Sequence, residues 1–128
     1  MDNIFWFAVL VSINSLLLLA LAMNVSRLRV RYKVSLGDGG NKILMAAIRA
    51  HANAVEQLPT YAIVVLALTL LETSAITLAI LVVGFTFSRF IHAYGMLYRT
   101  FLARRIGAGF TYIFQIVAAI VIGVSLLT

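Results

Sequence analysis

The chain has 128 residues, of which 63% are hydrophobic and only 11% are charged, and its formal net charge is +6. A soluble domain of this length has too little interior to bury so many apolar side chains, so the composition excludes that class and indicates an integral membrane protein. The chain contains no cysteine, which excludes disulfides, thiolate metal sites and a cysteine nucleophile.

The apolar segments predict four membrane-spanning helices with short loops, since a span needs about 20 residues. The first is the clearest, because residues 3–26 include no formal charge. This segment is too long for a signal-peptide core and has no basic region before it, so we expect a retained helix over about residues 3–32. Three glycines and an aspartate at residues 37–40 then indicate a turn.

The second predicted helix, residues 43–72, has charges inside its membrane span. Its uncharged part, residues 57–71, is shorter than the roughly 20 residues that a span requires, so the span includes residues of the preceding charged turns. Arg49, Asn53 and Glu56 are spaced i, i+4 and i+7 and therefore share one face of this helix, with His51 on the opposite side. Pro59 predicts a kink within the span. An ionisable residue at membrane depth is a functional-site hypothesis by default.

The third and fourth helices are predicted at residues 74–98 and 104–127. The turn before the third is so short that helices 2 and 3 are expected to be antiparallel neighbours. Arg89 and His92 lie one turn apart on one face of helix 3, and we expect them at the membrane edge. Helix 4 begins with Arg104 and Arg105, and its Gly107 and Gly109 permit close helix contact.

The basic residues predict the orientation of the chain. The ends of helices 1 and 3 and the starts of helices 2 and 4 lie on the same side of the membrane. The charged residues on the opposite side are Asp2 and Glu72 alone. The positive-inside rule then places both termini outside and the basic loops in the cytoplasm, and topology explains the net charge better than nucleic-acid binding. All ten lysines and arginines belong to the cytoplasmic side: Arg27, Arg29, Arg31, Lys33, Lys42, Arg49, Arg89, Arg99, Arg104 and Arg105.

The polar residues at these four helix ends combine many cations with one carboxylate, Glu56. That composition suits a small ligand with several carboxylates, which arginines would hold, and one ammonium group, which Glu56 would take. Three other interpretations stay open: Arg49 and Glu56 as a structural ion pair, Asn53 as a hydrogen bond between helices, and Arg29 and Lys33 as topology signals. The histidines lack a ligand spacing, and no metal site is predicted.

Residues 48–56, together with Pro59, resemble the helix 2 signature of the MAPEG family, the membrane-associated proteins in eicosanoid and glutathione metabolism. Residues 27–29 and 89–92 match further family positions at the right spacing, and residues 37–40 and 104–105 resemble the small bacterial inner-membrane branch. The resemblance covers essentially the whole chain. It implies one MAPEG-like four-helix domain over residues 1–128 that assembles as a homotrimer in the bacterial inner membrane.

The resemblance also implies a function. Members of the family bind glutathione between subunits near the cytoplasmic face, and a cation near helix 4 stabilises its thiolate, which attacks a hydrophobic electrophile. We therefore expect a glutathione-dependent transferase or peroxidase whose partners are the bilayer, glutathione as co-substrate, an electrophile or lipid, and further copies of the chain. Arg105 is the expected catalytic residue. The family's glutathione-site positions correspond to Arg27, Arg49, Asn53, Glu56, Arg89 and His92.

Two positions depart from the pattern of glutathione-using members. Ala52 stands where many of them have a second arginine, and Met96 stands where a tyrosine follows the helix 3 histidine. The family also contains lipid-binding members without enzymatic activity. The alternative function is therefore a lipid- or amphiphile-binding membrane protein of the same fold, with the polar cluster at the headgroup.

Overall fold

Residues 2–128, which the computed structural model describes, form four α-helices, with side chains described for residues 4–128. α1 spans Asp2–Tyr32, α2 Lys42–Leu70, α3 Ala75–Leu97 and α4 Phe101–Leu127. All four are long and apolar enough to cross a membrane, which confirms the all-α membrane architecture. The Asp2 side chain, predicted on the outer side, lies outside the described residues.

The helix bounds differ most from the sequence prediction at the start of α4. α2 and α3 lie within two residues of the predicted bounds, whereas α4 begins at Phe101 instead of residue 104. Arg99 takes a left-handed backbone conformation, with φ 53, and the Thr100 N–H donates to the Gly95 carbonyl at 2.9 Å. This bond pattern closes a helix abruptly. The next helix starts directly after it, so Arg104 and Arg105 belong to the first turns of α4.

The helices alternate in direction. Leu10, near the start of α1, belongs to a core cluster with Leu68, near the end of α2. Leu28, near the end of α1, packs instead with Leu44, near the start of α2. The start of α3 and the second half of α4 join the cluster of Leu10. The ends of α1 and α3 and the starts of α2 and α4 therefore meet at one end of the bundle, which we call the basic end.

α2 and α3 form the centre of the bundle. α1 and α4 pack on both of them, and the described parts of α1 and α4 do not contact each other. α4 buries only Gly107, Thr111 and Ala118, which lie on one narrow face. Most of α4 therefore faces outward, toward lipid or another protein chain.

Hydrogen bonds join neighbouring helices inside the bundle. The Asn14 Nδ2 of α1 donates to the Thr86 Oγ1 of α3 at 3.0 Å, and the Tyr61 hydroxyl of α2 donates to the Leu81 carbonyl at 2.7 Å. In a bilayer the hydrophobic effect does not drive helices together, so close packing and hydrogen bonds of this kind contribute to their association.

Two glycines allow α3 and α4 to approach closely. A Cβ atom added to Gly95 would collide with the backbone of Arg104, and one added to Gly107 would lie 2.5 Å from the backbone nitrogen of His92. Because the obstacle is backbone in both places, no side-chain rotation could relieve it. The absence of a Cβ atom at these two positions therefore allows the close contact in which Arg89 and His92 pack against α4.

Candidate functional site

Arg89 lies at the centre of a polar cluster inside the bundle. Its Nη2 donates to the Asn53 Oδ1 of α2 at 2.7 Å, its Nη1 to the Thr111 Oγ1 of α4 at 3.3 Å, and its Nη2 lies 3.5 Å from the His92 Nδ1. One guanidinium therefore connects three helices. The side chain is only 2% exposed. Arg89 lies about 12 Å along α3 from its basic end.

The partners of Arg89 are neutral. Among residues 4–128, the one ion pair joins Arg49 and Glu56, so no described carboxylate neutralises Arg89, and its buried Nε has no hydrogen-bond partner. An unpaired cation at membrane depth is costly and is usually retained for a function. The cluster thus has a positive charge that an anionic ligand could balance.

Arg89 also determines how Asn53 is oriented. A guanidinium can only donate hydrogen bonds, so the Asn53 amide must turn its oxygen toward Arg89. The amide NH2 group of Asn53 then points away from Arg89, and among the described residues it makes no hydrogen bond. Asn53 is half-buried. It can therefore donate to a carboxylate or a carbonyl of a ligand at the surface of α2.

Arg49 and Glu56 flank Asn53 on this surface. The Arg49 Nη2 lies 3.8 Å from the Glu56 Oε1, and their side chains are 50% and 54% exposed. Glu56 lies about 21 Å along α2 from its start, well inside the span. Because exposed charges at such depth cannot face lipid, they must meet water, a ligand or another protein chain. We call Arg49, Asn53 and Glu56 the α2 stripe.

A groove between α2 and α4 begins at Glu56, the midpoint of α2, and continues toward the end of the bundle opposite the basic end. Its volume is about 300 Å³, and it is lined by Glu56, Gln57, Thr60 and Gln115, with Val64 and Ala119 among its apolar residues. The Gln115 Nε2 donates to the Gln57 Oε1 at 2.6 Å, which ties the two walls together. The groove is thus polar near Glu56 and apolar farther on, a gradient that suits an amphiphile.

A second cavity, which we call the basic pocket, lies at the basic end. It has a volume of about 380 Å³ and lies where the start of α2 meets the end of α3 and the start of α4. Four cations line it: Lys42, Arg49, Arg99 and Arg104. No described acidic residue lines it.

The structure brings together only part of the predicted site. Arg89 and His92 are buried and contact the half-buried Asn53, and Arg49 and Glu56 lie beside Asn53 on the surface. Arg27 lies exposed on α1, where its Nη2 donates to the Asn24 Oδ1 at 2.8 Å. Arg105 is exposed and points to the side of α4 opposite Gly107.

Sequence reasoning missed several neighbours of these residues. Thr111 receives the second bond of Arg89 and also bonds Ser88, with 3.1 Å between the hydroxyl oxygens. Its position one turn after Gly107 was the available signal, because a hydroxyl beside a small residue can reach the adjacent helix. Gln57 as the hydrogen-bond partner of Gln115 and the basic pocket could not be predicted, because both depend on the relative rotation of the helices, which a single sequence does not provide.

Comparison with known proteins identifies a family over most of the chain. The MAPEG family model matches residues 7–124, which include parts of all four helices. The inner membrane protein YecN of Escherichia coli strain K12 is 38% identical over 102 residues, which cover 78% of this chain and 76% of the relative. YecN of Escherichia coli O6:H1 strain CFT073 has the same identity and coverage. No solved structure gives a significant match.

Proposed function

The chain belongs to the MAPEG family, and from this premise we propose that it is a glutathione-dependent transferase or peroxidase for hydrophobic electrophiles in the membrane. The observation that carries the proposal is the α2 stripe. It exposes a guanidinium and a carboxylate at membrane depth, with an amide donor between them. Such groups need water, a polar ligand or a protein partner, since lipid cannot solvate them.

The functional groups of glutathione complement the stripe. Glutathione has two carboxylates and one ammonium group at neutral pH. In our proposal, Arg49 binds a carboxylate by charge-assisted hydrogen bonds, Glu56 binds the ammonium group, and the Asn53 NH2 donates to a carbonyl or carboxylate. Arg89 orients Asn53 and, with His92 beside it, provides positive potential behind the ligand.

We further propose that the site is completed in a homotrimer, as the family resemblance implies. Arg49 and Glu56 face outward from their own subunit, so a neighbouring copy would cover them. Arg27 and Arg105 also face away from the bundle and would enter the cleft from that copy. This arrangement gives a role to both residues, which a single subunit does not bring to the α2 stripe.

The proposed location is the bacterial inner membrane, where the name of the YecN relative places that protein. All the basic side chains lie toward one end, so the positive-inside rule puts this end in the cytoplasm and both termini outside. The glutathione site would then open near the cytoplasmic face.

The proposed chemistry begins with the thiol of glutathione. A cation near the sulfur lowers the thiol pKa, and the proton leaves to water. The thiolate then attacks the electrophile, forming a sulfur–carbon bond while the leaving group departs with its electron pair. With a hydroperoxide, two glutathione molecules are oxidised to the disulfide, and the products are an alcohol and water. We assign the stabilising cation to Arg105.

Arg105→Ala is expected to lower turnover about tenfold at saturating glutathione, because the thiolate fraction falls without the cation. The rate of conjugation of a reactive aryl halide by the solubilised protein measures this. Arg31→Ala is the matched control, since it removes an exposed cation at the same end of the bundle and is expected to keep the wild-type rate. Unchanged turnover in Arg105→Ala would refute the assignment of Arg105.

A second candidate function, lipid or amphiphile binding without chemistry, is favoured by the shape of the α2–α4 groove. The groove passes from Glu56 and Gln115 to Val64 and Ala119, so it could hold a headgroup at one end and a chain at the other. Mass spectrometry of the purified protein tests this function. A lipid retained in fixed stoichiometry, without glutathione binding, would favour it over the enzyme.

A further inference from the structure

The basic pocket has a different chemistry from the α2 stripe, and we propose that it binds the phosphate group of an anionic phospholipid. Three of its four cations, Lys42, Arg99 and Arg104, do not belong to the proposed glutathione site. They come from the start of α2, the turn after α3 and the first turn of α4. Arg49 belongs to both sites, so the phospholipid site is tested through the other three cations.

The charges of the pocket define its ligand as an anion. Among residues 4–128, the one ion pair is that of Arg49 with Glu56, so Lys42, Arg99 and Arg104 have no acidic partner. Guanidinium groups bind phosphate oxygens through paired hydrogen bonds, and an ammonium adds a point charge. Basic pockets between the ends of membrane helices are a known mode of binding for anionic lipid headgroups.

The apolar surroundings of the pocket favour a lipid over a free anion. Met96 and Phe101 line the cavity, and the Arg104 guanidinium lies over the Phe101 ring, 5.6 Å from its centroid. Phe101 and Leu102 are 64% and 66% exposed at the start of α4. A phosphate between the cations would therefore have its glycerol and acyl chains beside an exposed apolar surface.

The depth of the pocket also fits a headgroup. Lys42 is the first residue of α2, Arg99 follows the end of α3, and Arg104 lies in the first turn of α4. All three are thus within about one turn of a helix end, at the level where phospholipid phosphates lie in a bilayer. The close approach of Gly95 to the Arg104 backbone forms part of the cavity wall.

Native mass spectrometry of the full-length protein in detergent tests the proposal. It is titrated with phosphatidylglycerol and, separately, with phosphatidylcholine of the same acyl chains. The double variant Lys42→Gln/Arg99→Gln is expected to bind phosphatidylglycerol about 30-fold more weakly, about fivefold for each cation removed. The matched double variant Arg31→Gln/Lys33→Gln removes the same charge at the end of α1 and should weaken binding by less than about threefold. If the pocket double variant does not fold, Lys42→Gln alone replaces it, with an expected loss of about fivefold in affinity for phosphatidylglycerol.

Three results would overturn the proposal. Equal losses in the two double variants would show that the lipid responds to overall charge and not to the pocket. Equal binding of phosphatidylcholine would show that no anionic headgroup is selected, and displacement of the lipid by inorganic phosphate at equal concentration would identify a free-anion site. A glutathione titration of the same variants separates the two proposals, because Lys42→Gln/Arg99→Gln is expected to leave glutathione affinity unchanged.

Discussion

Arg89→Met is expected to weaken glutathione binding about 30-fold while the four-helix fold persists. The expected loss corresponds to the hydrogen bond that Asn53 would donate to the ligand, since hydrogen bonds to charged groups contribute about 2 kcal/mol. The substitution removes the positive potential behind the α2 stripe. It also releases the Asn53 amide, whose oxygen now accepts from Arg89 at 2.7 Å, so the NH2 group is no longer held toward the ligand. The loss is expected although Arg89, only 2% exposed, would not itself touch glutathione.

The stability of the Arg89→Met variant should change little, because two effects oppose each other. Removing a buried cation without a counter-ion is favourable, whereas leaving the Asn53 oxygen without its donor is unfavourable, so the net change should stay within about 2 kcal/mol. Arg89→Lys keeps the charge but cannot span Asn53 and Thr111 with one ammonium group, and we expect about a tenfold loss of affinity.

Calorimetric titration with glutathione and thermal unfolding in the same detergent measure both quantities for these variants. A positioning role for Arg89 predicts that affinity falls much more than stability. Lower stability with unchanged affinity would instead identify Arg89 as a structural residue that only joins α2, α3 and α4.

Gly107→Ala is expected to destabilise the protein by about 3 kcal/mol, at the upper end of what overpacking usually costs. The new Cβ atom would lie 2.5 Å from the His92 nitrogen and 2.6 Å from its Cα. Either α3 or α4 must move, and the bond of Arg89 to Thr111, one turn from Gly107, would lengthen. We therefore expect lower glutathione affinity together with lower stability.

Gly109→Ala is the matched control for this prediction. Gly109 lies two residues further along α4, and a Cβ atom added there meets nothing within 4 Å. Alanine favours helix over glycine by about 1 kcal/mol, so this variant should be as stable as the wild type or more so. Equilibrium unfolding in detergent gives both free energies, and equal values for the two variants would contradict the packing of α4 against His92.

The sequence was sufficient for the architecture because membrane insertion makes strong local demands. Four apolar segments of sufficient length, each bounded by charges or turn residues, define four helices. The spacing of Arg49, Asn53 and Glu56 also placed them on one face of α2, and the structure confirms that Arg49 and Glu56 approach within 3.8 Å. Family membership was also predicted from the sequence, chiefly from residues 48–56 with Pro59, and the MAPEG family model confirms it over residues 7–124.

The sequence was less informative where the relative rotation of helices decides the outcome. The sequence placed Arg89 and His92 on one face of helix 3, but the partners of Arg89, Asn53 and Thr111, depend on the close approach of α4 to α3 at Gly107. α4 begins three residues earlier than predicted, because the left-handed conformation of Arg99 ends α3 abruptly. Glycine is the residue that usually takes this conformation at a helix end, so the sequence did not signal it. As a consequence Arg104 lines the basic pocket, while Arg105, the predicted catalytic residue, points outward. The catalytic role of Arg105 and the homotrimer stay predictions.

The binding of glutathione to the α2 stripe is tested most directly by calorimetric titration of the full-length, detergent-solubilised protein. Wild type, Glu56→Gln and Arg49→Ala are compared with a control variant, Glu72→Gln. This control removes an exposed carboxylate just after the end of α2 that lies away from the basic end. We predict saturable binding to wild type and Glu72→Gln, and losses of about 100-fold in Glu56→Gln and Arg49→Ala, because each substitution removes one partner of a charge pair that the proposed glutathione complex would cover. No binding to the wild type at millimolar glutathione would contradict the account and leave lipid binding as the better-supported function.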